Sequence, residues 1–441
     1  MLPKVIDLFS GCGGLTLGFE KAGFDIVAGI ELMPEACQTV TYNLDYRYGR
    51  EQTHLCCDIT KTDASIFKDR FGKEGCIIIG GPPCQAYSLA GRAKLKSLGE
   101  ERINTNDSRG YLYQDFLRFV YELNANAVIM ENVPESTNYG NINVPETVCE
   151  SLENNGYEAY WTVLNSADFG VPQIRERVIL FGIKKDQHRL INLPVPTHKN
   201  PLNNKTQYQK RFESLMQNKH FRNPVSSDCA DLPWVTVKEA ISDLPVLMPD
   251  SNTKYHPMKL NEEMKYFTSP ENQFQKLMRN WYGYECPASS ANVYRNNKKE
   301  AVIFECMKPG DNYEKASEIA DKLFEKEARL LGFSIGSNEY EQLKSRIIPK
   351  YDRNKFPNKW KKLELDKPSH TVVAHLSKDT FSHIHPVEPR GISVREAARI
   401  QSFPDDFFFN CSMGDAYKQI GNAVPPLMAY AVAKCVYEVF T

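Results

Sequence analysis

The sequence lacks the features that would mark a membrane, secreted or zinc protein. No apolar run in its 441 residues is long enough to span a bilayer. Residues 1–4 lead straight into a predicted strand, so we expect no signal peptide. The twelve cysteines are scattered and form no CxxC pair, which argues against zinc and favours reduced thiols. We therefore expect a cytoplasmic protein with no metal and no membrane association.

Net charge is also small, but it is unevenly distributed. The formal charge is −1, yet residues 188–366 contain 29 lysines and arginines against 23 aspartates and glutamates. A mildly basic segment on an otherwise acidic chain is typical of a module that faces a polyanion, although scattered solvated charge gives the same count. The sequence shows no internal repeat, and its length allows a core domain and a further module.

The first 183 residues alternate short apolar strands with helical segments. Strands are predicted at residues 4–9, 25–30, 53–57, 76–79 and 127–130, and helices at 15–22, 34–44 and 113–123. Residues 158–165 and 177–183 read as a closing antiparallel pair. Strands separated by helices predict a mainly parallel sheet covered on both faces, so we expect an α/β, Rossmann-like domain over residues 1–187.

The pattern changes after residue 184. Proline and a run rich in asparagine, lysine and glutamine indicate loops. Regular structure is predicted to return at residues 236–244, and an amphipathic helix at 313–331. We predict a second, smaller and irregular domain over residues 188–390. Residues 391–441 form a C-terminal segment with helices predicted at 393–401 and 425–438.

One cysteine lies at the end of a predicted strand. The run Ile77–Gln85 reads as an apolar strand that ends in two glycines, two prolines and Cys84. In an open α/β sheet, ligands bind at the carboxyl ends of the strands. Cys84 alone is compatible with a nucleophilic thiol and equally with a structural turn.

A glycine-rich turn follows the first predicted strand. Gly11 and Gly13 fit the first two positions of GxGxxG, but Thr16 stands at the third, so the dinucleotide pattern is broken. Glu31 and Asp58 close the next two strands, where they could hold a ribose and an adenine. A pocket with these acids and Asp7 suits a cationic sulfonium better than a diphosphate. Its charge therefore favours S-adenosylmethionine over NAD, with Phe9 and Ile59 as apolar contacts of the base.

A second set of polar residues follows the later strands. Glu131 comes directly after the apolar Val128–Met130, where partial burial would raise its pKa and let it share a proton. Arg175 and Arg177 are two residues apart, so in extended chain they would address one anion or carbonyl. Each feature alone is compatible with a solvated surface. Together with Cys84 they form a coherent reactive set.

These motifs together resemble one enzyme family. The chain is similar to DNA (cytosine-5)-methyltransferases of the bacterial restriction–modification type, through the blocks DLFSGCGGLTLGFEKAGF, GGPPCQAYS, ENV, QIRERVILFG, REAARIQSFPDDF and AYKQIGNAVPP. The blocks run from residue 7 to residue 426 in the family's order. Two departures, Ala86-Tyr87 and Pro134-Glu135, put loop detail in doubt and not activity.

The resemblance implies a mechanism. Cys84 would add to carbon 6 of a flipped-out cytosine while Glu131 bonds ring nitrogen 3. Arg175 would stabilise the ring carbonyl, with Arg177 in support. The loop Gln85–Asp107 would close over the DNA. The residues implied to bind S-adenosylmethionine are Phe9, Gly11, Gly13, Gly14, Glu31, Asp58, Ile59, Pro82 and Asn422.

The resemblance also implies the partners and the division of labour. Residues 188–390 would recognise a specific double-stranded DNA sequence, and the last helix would return to the catalytic domain. The enzyme would be a monomer that shares its site with a cognate restriction endonuclease without binding it stably.

Three other activities share some of these sequence features. An RNA (cytosine-5) methyltransferase shares the motifs, but the long module after the last strand favours DNA. A dinucleotide oxidoreductase is disfavoured by the broken glycine pattern and the acidic pocket. A catalytically dead binding protein would be expected to lose Cys84 or Glu131, and both are present.

Overall fold

The computed structural model describes residues 2–83, 111–138, 142–201, 212–247, 259–297, 299–349 and 359–441. The chain divides into two compact units. The first comprises Met1–Trp234 and Ala423–Thr441, and the second comprises Val235–Asn422. The second unit is thus a continuous insertion in the first. These limits differ from the predicted ones, because residues 188–234 lie with the first unit and residues 391–422 with the second.

A seven-stranded sheet forms the centre of the first unit. Its strands are β1 (Lys4–Leu8), β2 (Ile26–Glu31), β3 (His54–Cys56), β4 (Cys76–Gly80), β5 (Ala127–Asn132), β6 (Tyr157–Asn165) and β7 (Glu176–Lys184). Their order across the sheet is β3-β2-β1-β4-β5-β7-β6. The first five strands in this order are parallel, and β7 is antiparallel to both of its neighbours. The predicted parallel sheet with a closing antiparallel pair is confirmed.

Helices complete both units. In chain order they are α1 (Gly14–Lys21), α2 (Pro34–Leu44), α3 (Leu112–Glu122), α4 (Val144–Asn154), α5 (Val237–Ile241), α6 (Gln273–Arg279), α7 (Ala301–Cys306), α8 (Tyr313–Leu330), α9 (Asn338–Ile347), α10 (Val394–Ile400), α11 (Met413–Asn422) and α12 (Pro426–Phe440).

The central strands are buried on both faces. In β4, Ile78 belongs to one hydrophobic core, while Ile77 and Ile79 belong to another. The first core includes side chains of α3 and α4, and the second includes side chains of α1 and α12. Successive side chains of a strand point to opposite faces, so a run of consecutive isoleucines requires cover on both sides.

The final helix closes the core of the first unit. A side chain at Gly18 of α1 would lie 2.4 Å from the Cβ of Ala429, so glycine allows α1 and α12 to approach closely. By length and composition alone, the segment Met413–Phe440 could cross a membrane. However, 56% of its most apolar stretch is buried inside the protein. Such burial is what a core helix requires.

Residues 188–234 extend the first unit because they cover its exposed sheet edge. Phe221 forms a parallel bridge with Trp161 of β6, and their ring centroids are 4.8 Å apart. His198–Lys199 also pairs with Leu232–Pro233. An uncovered edge strand exposes unpaired backbone groups, and this segment satisfies part of that edge. The loop-like composition after residue 184 predicted that this segment belongs to the second domain. Its contacts with β6 are not visible in the sequence.

The second unit is built from short elements around several groups of buried hydrophobic residues. One cluster packs Phe304 of α7 and Tyr313 of α8 against Trp360. A smaller one joins Phe324 of α8 to Leu343 of α9. Residues 391–422 belong here because α10 packs against α5 and α11. The predicted helices at 313–331 and 393–401 are confirmed to within two residues at each end.

Charged side chains are buried at the centre of the second unit. Asp243 accepts hydrogen bonds from Arg279 Nε at 2.9 Å and from Arg399 Nη1 at 3.1 Å. Arg399 also pairs with Asp405, which accepts a hydrogen bond from the Tyr266 hydroxyl at 2.7 Å. Asp243, Arg399 and Asp405 are at most 1% exposed. These directional contacts connect α6 and α10 through Asp243.

Candidate functional site

The predicted site residues of the first unit gather at one edge of the sheet. The parallel strands β1, β2, β3, β4 and β5 end there, and the antiparallel β7 begins there. Each strand end therefore delivers a loop to the same edge, which is where open α/β sheets bind ligands.

The loop after β1 has an unusual backbone. Phe9, Gly11 and Gly13 have φ angles of 60°, 56° and 90°, all in the left-handed region. This conformation is rare for phenylalanine and marks a constrained turn. A Cβ built on Gly11 meets no atom of the described residues within 4 Å, whereas one on Gly13 would lie 2.7 Å from Val40 Cγ2. Gly13 therefore permits close packing on α2, and no described side chain fills the space beside Gly11.

Thr16, which breaks the dinucleotide pattern, has a structural task. Its hydroxyl donates a hydrogen bond to Asp7 Oδ2 beneath the loop. Burial raises the pKa of Asp7 to about 7, and the nearby Glu31 raises it further, while the Thr16 contact opposes the shift. Asp7 Oδ1 has no hydrogen-bond partner among the described residues. The loop thus rests on a buried carboxyl group that titrates near neutral pH.

Glu31 and Asp58 are held at the ends of their strands by backbone amides. Glu31 accepts hydrogen bonds from Gly11 N at 2.8 Å and Met33 N at 2.7 Å, one on each oxygen. Asp58 accepts hydrogen bonds from the Thr60 side chain and amide, which lower its pKa. Its lowered pKa keeps Asp58 ionised, and both carboxylates retain lone pairs for a ligand's hydroxyls.

The remaining predicted cofactor residues are in different surroundings. Ile59 is 4% exposed and joins the hydrophobic core. The Pro82 carbonyl accepts a hydrogen bond from Asn132 Nδ2 at 3.4 Å. Gly14 is the first residue of α1, and Asn422 is the exposed last residue of α11 in the second unit. Cys84 and the loop Gln85–Asp107 lie outside the described residues.

Glu131 and Arg177 meet across neighbouring strands. Glu131 faces Ile179 in the β5–β7 ladder, so Arg177 is its diagonal neighbour on the same face of the sheet. Arg177 Nε lies 2.7 Å from Glu131 Oε1, and both side chains are nearly buried. Burial raises the pKa of Glu131, while Arg177 and then Arg175 oppose the rise. The predicted raised pKa is confirmed in direction, and the group is suited to sharing a proton.

The described hydrogen bonds and ion pairs of Arg175 and Arg177 differ. Arg175 is 1% exposed, and its Nη2 donates a hydrogen bond to the Ala423 carbonyl at 3.1 Å. Its backbone amide donates to Asn165 Oδ1 at 3.3 Å. Arg177, which was expected in the supporting role, is the arginine that contacts Glu131. The β-strand begins only at Glu176, so the alternation that would align the two side chains does not extend to Arg175.

The loop between β6 and β7 contains residues that sequence reasoning missed. Ser166 donates from its hydroxyl to the Gln173 carbonyl at 2.7 Å, which braces the loop internally. Asp168 accepts a hydrogen bond from Trp234 Nε1 at 2.8 Å, and burial raises its pKa to about 7. The sequence signal that could have identified this loop is an acid, Asp168, placed shortly before the arginine motif that ends at Arg177.

One cluster in the second unit has the composition of a metal site. Ligand atoms of His385, Glu388 and Glu396 lie within 4.8 Å of one another. Arg390 donates to both glutamates, with Nη2 2.7 Å from Glu396 Oε1 and Nε 3.0 Å from Glu388 Oε2. The guanidinium thus already supplies the positive charge that these carboxylates require.

Comparison with known proteins identifies the family of this chain. A sequence model of C-5 cytosine-specific DNA methylases matches residues 3–438. The Oceanobacillus iheyensis protein M.OihORF3336P is 53% identical over 438 residues, covering 98% of this chain and 95% of the relative. The type II methyltransferase M.AgeI of Thalassovita gelatinovora is 31% identical over 468 residues, covering 98% and 99%. The crystal structure of an Escherichia coli prophage-encoded chain shares the fold, with a TM-score of 0.65, 23% identity and 99% coverage of both chains.

Proposed function

Because the chain belongs to the C-5 cytosine-specific DNA methylase family, we propose that it methylates carbon 5 of a flipped-out cytosine within a specific double-stranded DNA sequence. It is a DNA methyltransferase of the type II restriction–modification kind. In that setting it protects host DNA from a restriction endonuclease. The endonuclease acts on the same DNA sequence and does not bind the methyltransferase stably. The enzyme works as a monomer in the cytoplasm.

The chemistry requires a nucleophile because carbon 5 of cytosine reacts poorly with electrophiles. The Cys84 thiolate adds to carbon 6, and Glu131 bonds ring nitrogen 3, so the ring becomes an enamine-like nucleophile. S-adenosylmethionine, when bound, supplies the electrophilic methyl group. Loss of the carbon 5 proton and elimination of Cys84 then restore the aromatic ring.

The contact between Glu131 and Arg177 is the observation that carries this proposal. A carboxyl group with a raised pKa can hold a proton toward ring nitrogen 3, while the neighbouring guanidinium stabilises its ionised form. Arg177, beside Glu131, would donate a hydrogen bond to the ring carbonyl. We therefore assign the carbonyl contact to Arg177, and to Arg175 the role of fixing the loop at Ala423.

The residues at the edge of the sheet fit S-adenosylmethionine. Glu31 and Asp58 are carboxylates held at the ends of β2 and β3, and no described side chain fills the space beside Gly11. A sulfonium and an ammonium group suit this acidic edge, whereas a diphosphate would be repelled by it. The residues that would bind the group are Phe9, Gly11, Gly13, Gly14, Glu31, Asp58, Ile59, Pro82 and Asn422.

Labelling identifies the substrate and the product. The enzyme is incubated with methyl-tritiated S-adenosylmethionine and either duplex DNA or RNA, and the hydrolysed bases are separated. We expect label in 5-methylcytosine from DNA. Label in RNA alone, or on another base, would contradict the proposal.

Substitution of Glu131 tests the carboxyl group in that reaction. We expect Glu131→Ala to lower the rate by about two orders of magnitude or more, since proton sharing is lost. Glu131→Gln should recover little, because the amide cannot transfer the proton. If Glu131→Gln were nearly as active as the wild type, the acid–base role would have to be dropped.

A further inference from the structure

Gly81 lies next to the carboxyl group of Glu131, and its backbone does not require glycine. It follows β4 directly, and its φ angle is outside the left-handed region, so an alanine could adopt the same conformation. Backbone freedom therefore does not explain why glycine stands there. The explanation has to come from the space around the missing side chain.

Among the described residues, one side chain borders that space. A Cβ built on Gly81 would lie 2.9 Å from Glu131 Oε2, and the next nearest atoms are the Glu131 carbonyl oxygen at 3.8 Å and Cδ at 4.0 Å. The distance of 2.9 Å is too short for a Cβ, so the carboxyl group would have to move. All three nearest described atoms belong to Glu131. An added methyl group thus perturbs this residue and leaves the strand packing intact.

Glu131 cannot move without cost to its other contact. Oε1 is fixed by Arg177 Nε at 2.7 Å, and the side chain is nearly buried between β5 and β7. In the described part of the chain no residue donates a hydrogen bond to Oε2, the oxygen that faces Gly81. Rotation away from a methyl group would therefore turn Oε2 and lengthen the contact between Oε1 and Arg177.

We propose that Gly81 is a positioning residue whose missing side chain sets the orientation of the Glu131 carboxyl group and keeps Oε2 open toward the cytosine ring. This rests on the proposed function of Glu131. Gly81 acts through Glu131, so its substitution should change the chemical step and leave substrate binding nearly unchanged.

The test compares two glycine-to-alanine variants. At Gly72 a Cβ would also lie 2.9 Å from a glutamate oxygen, Oε2 of Glu74, which precedes β4 and belongs to none of the reactive motifs. We expect Gly81→Ala to lower kcat about 10- to 100-fold, as misplacement of a catalytic group does, with KM for DNA and for S-adenosylmethionine within about threefold of wild type. Gly72→Ala should leave both unchanged.

A double-mutant cycle shows whether the loss passes through Glu131. In the Glu131→Ala background the carboxyl group is absent, so adding Gly81→Ala should cost no further activity. An equal loss in both backgrounds would overturn the proposal, because the methyl group would then act elsewhere. A normal kcat for Gly81→Ala would overturn it as well, and so would a loss that appears only in the calorimetric affinity for S-adenosylmethionine.

The pKa of Glu131 gives a readout that does not depend on turnover. Carboxyl carbon NMR of the full chain labelled with ¹³C-glutamate, with the signal assigned by its absence in Glu131→Gln, follows this group. We expect Gly81→Ala to raise the pKa of Glu131 above its wild-type value, since Arg177 is less able to stabilise the anion. An unchanged pKa would contradict the proposal. If Glu131→Gln proves active, the proposed function fails, whatever the result at Gly81.

Discussion

The two units of this chain differ in what their interiors contain. The first covers a parallel sheet with two continuous hydrophobic cores, one on each face. The second buries hydrophobic side chains of many short elements and also contains the buried ion pairs of Asp243, Arg399 and Asp405. Apolar burial is non-directional, whereas a buried ion pair is stable only in one geometry.

The difference teaches where each kind of function can reside. A sheet with both faces buried gives fixed strand ends, and these ends carry the acid, arginine and glycine positions of the candidate site. A unit of short elements held by specific polar contacts leaves long loops on its surface, and loops are what vary between proteins of different specificity. We expect chemistry in the first unit and sequence recognition in the second.

The strongest test of this comparison removes the nucleophile from the first unit. We expect Cys84→Ser to lower methyl transfer by at least about a thousandfold, because a hydroxyl is far less nucleophilic than a thiolate at neutral pH. Affinity for DNA and for S-adenosylmethionine, measured by calorimetry, should stay close to wild type. Turnover within about tenfold of wild type would exclude Cys84 as the nucleophile, since that factor is about 1.4 kcal/mol of barrier.

Exchange of the recognition module sharpens the comparison. Two chimeras are made in a relative that methylates a different DNA sequence. In one, the corresponding segment is replaced by residues 188–390 of this chain, and in the other by Val235–Asn422. We expect the methylated sequence, measured by bisulfite sequencing of a plasmid, to follow the transplanted module, since each bidentate base contact gives about 1–3 kcal/mol of discrimination. The chimera cut at the unit boundaries should be the more stable. An active chimera that still methylates the host's target would place recognition elsewhere.

The contribution of a buried ion pair of the second unit to stability can be compared with that of an exposed ion pair of the first unit. We expect Asp243→Asn to lower the free energy of unfolding by about 3–5 kcal/mol, because two buried arginines lose a charged partner. Asp25→Asn, which weakens the exposed Lys4–Asp25 pair, should cost about 1 kcal/mol or less. Denaturant titration measures both. Equal costs would show that the second unit does not depend on its buried charges.

A pH-dependent effect is expected within the first unit. Burial raises the pKa of Asp168 to about 7, so the folded state retains a proton that the unfolded state loses near pH 4. Stability should therefore fall between about pH 4 and pH 7. Asp168→Asn keeps an acceptor for Trp234 but cannot ionise, so it should be about 2–4 kcal/mol more stable than wild type at pH 8 and nearly equal at pH 4. Parallel stability curves for the two proteins would contradict the assignment.

Regular patterning made the first unit predictable. Every strand of the sheet was located to within two residues, because apolar runs and glycine turns mark their ends in the sequence. Helix α4 was missed, although Asn143 caps it by accepting a hydrogen bond from the Glu146 amide at 3.2 Å. Its Asn-Val-Pro start is a recognisable helix signal that follows a loop, where no element was expected.

Contacts between distant residues were not predictable. The contacts of Arg175 and Arg177 differ because Arg175 reaches the carbonyl of Ala423, which is 248 residues away in the sequence. Arg399 forms ion pairs with residues 6 and 156 positions away. A sequence pattern shows which side chains carry charge, but not which of them meet in the fold. The position of Gly81 beside Glu131 was hidden for the same reason.

The packing of α12 on α1 has a consequence for how the enzyme is made. The ribosome synthesises α12 long after α1, yet Gly18 of α1 and the second hydrophobic core need Ala429 and its neighbours. Until α12 emerges, the nascent chain exposes an apolar face of its sheet, and surfaces of this kind are recognised by chaperones and proteases.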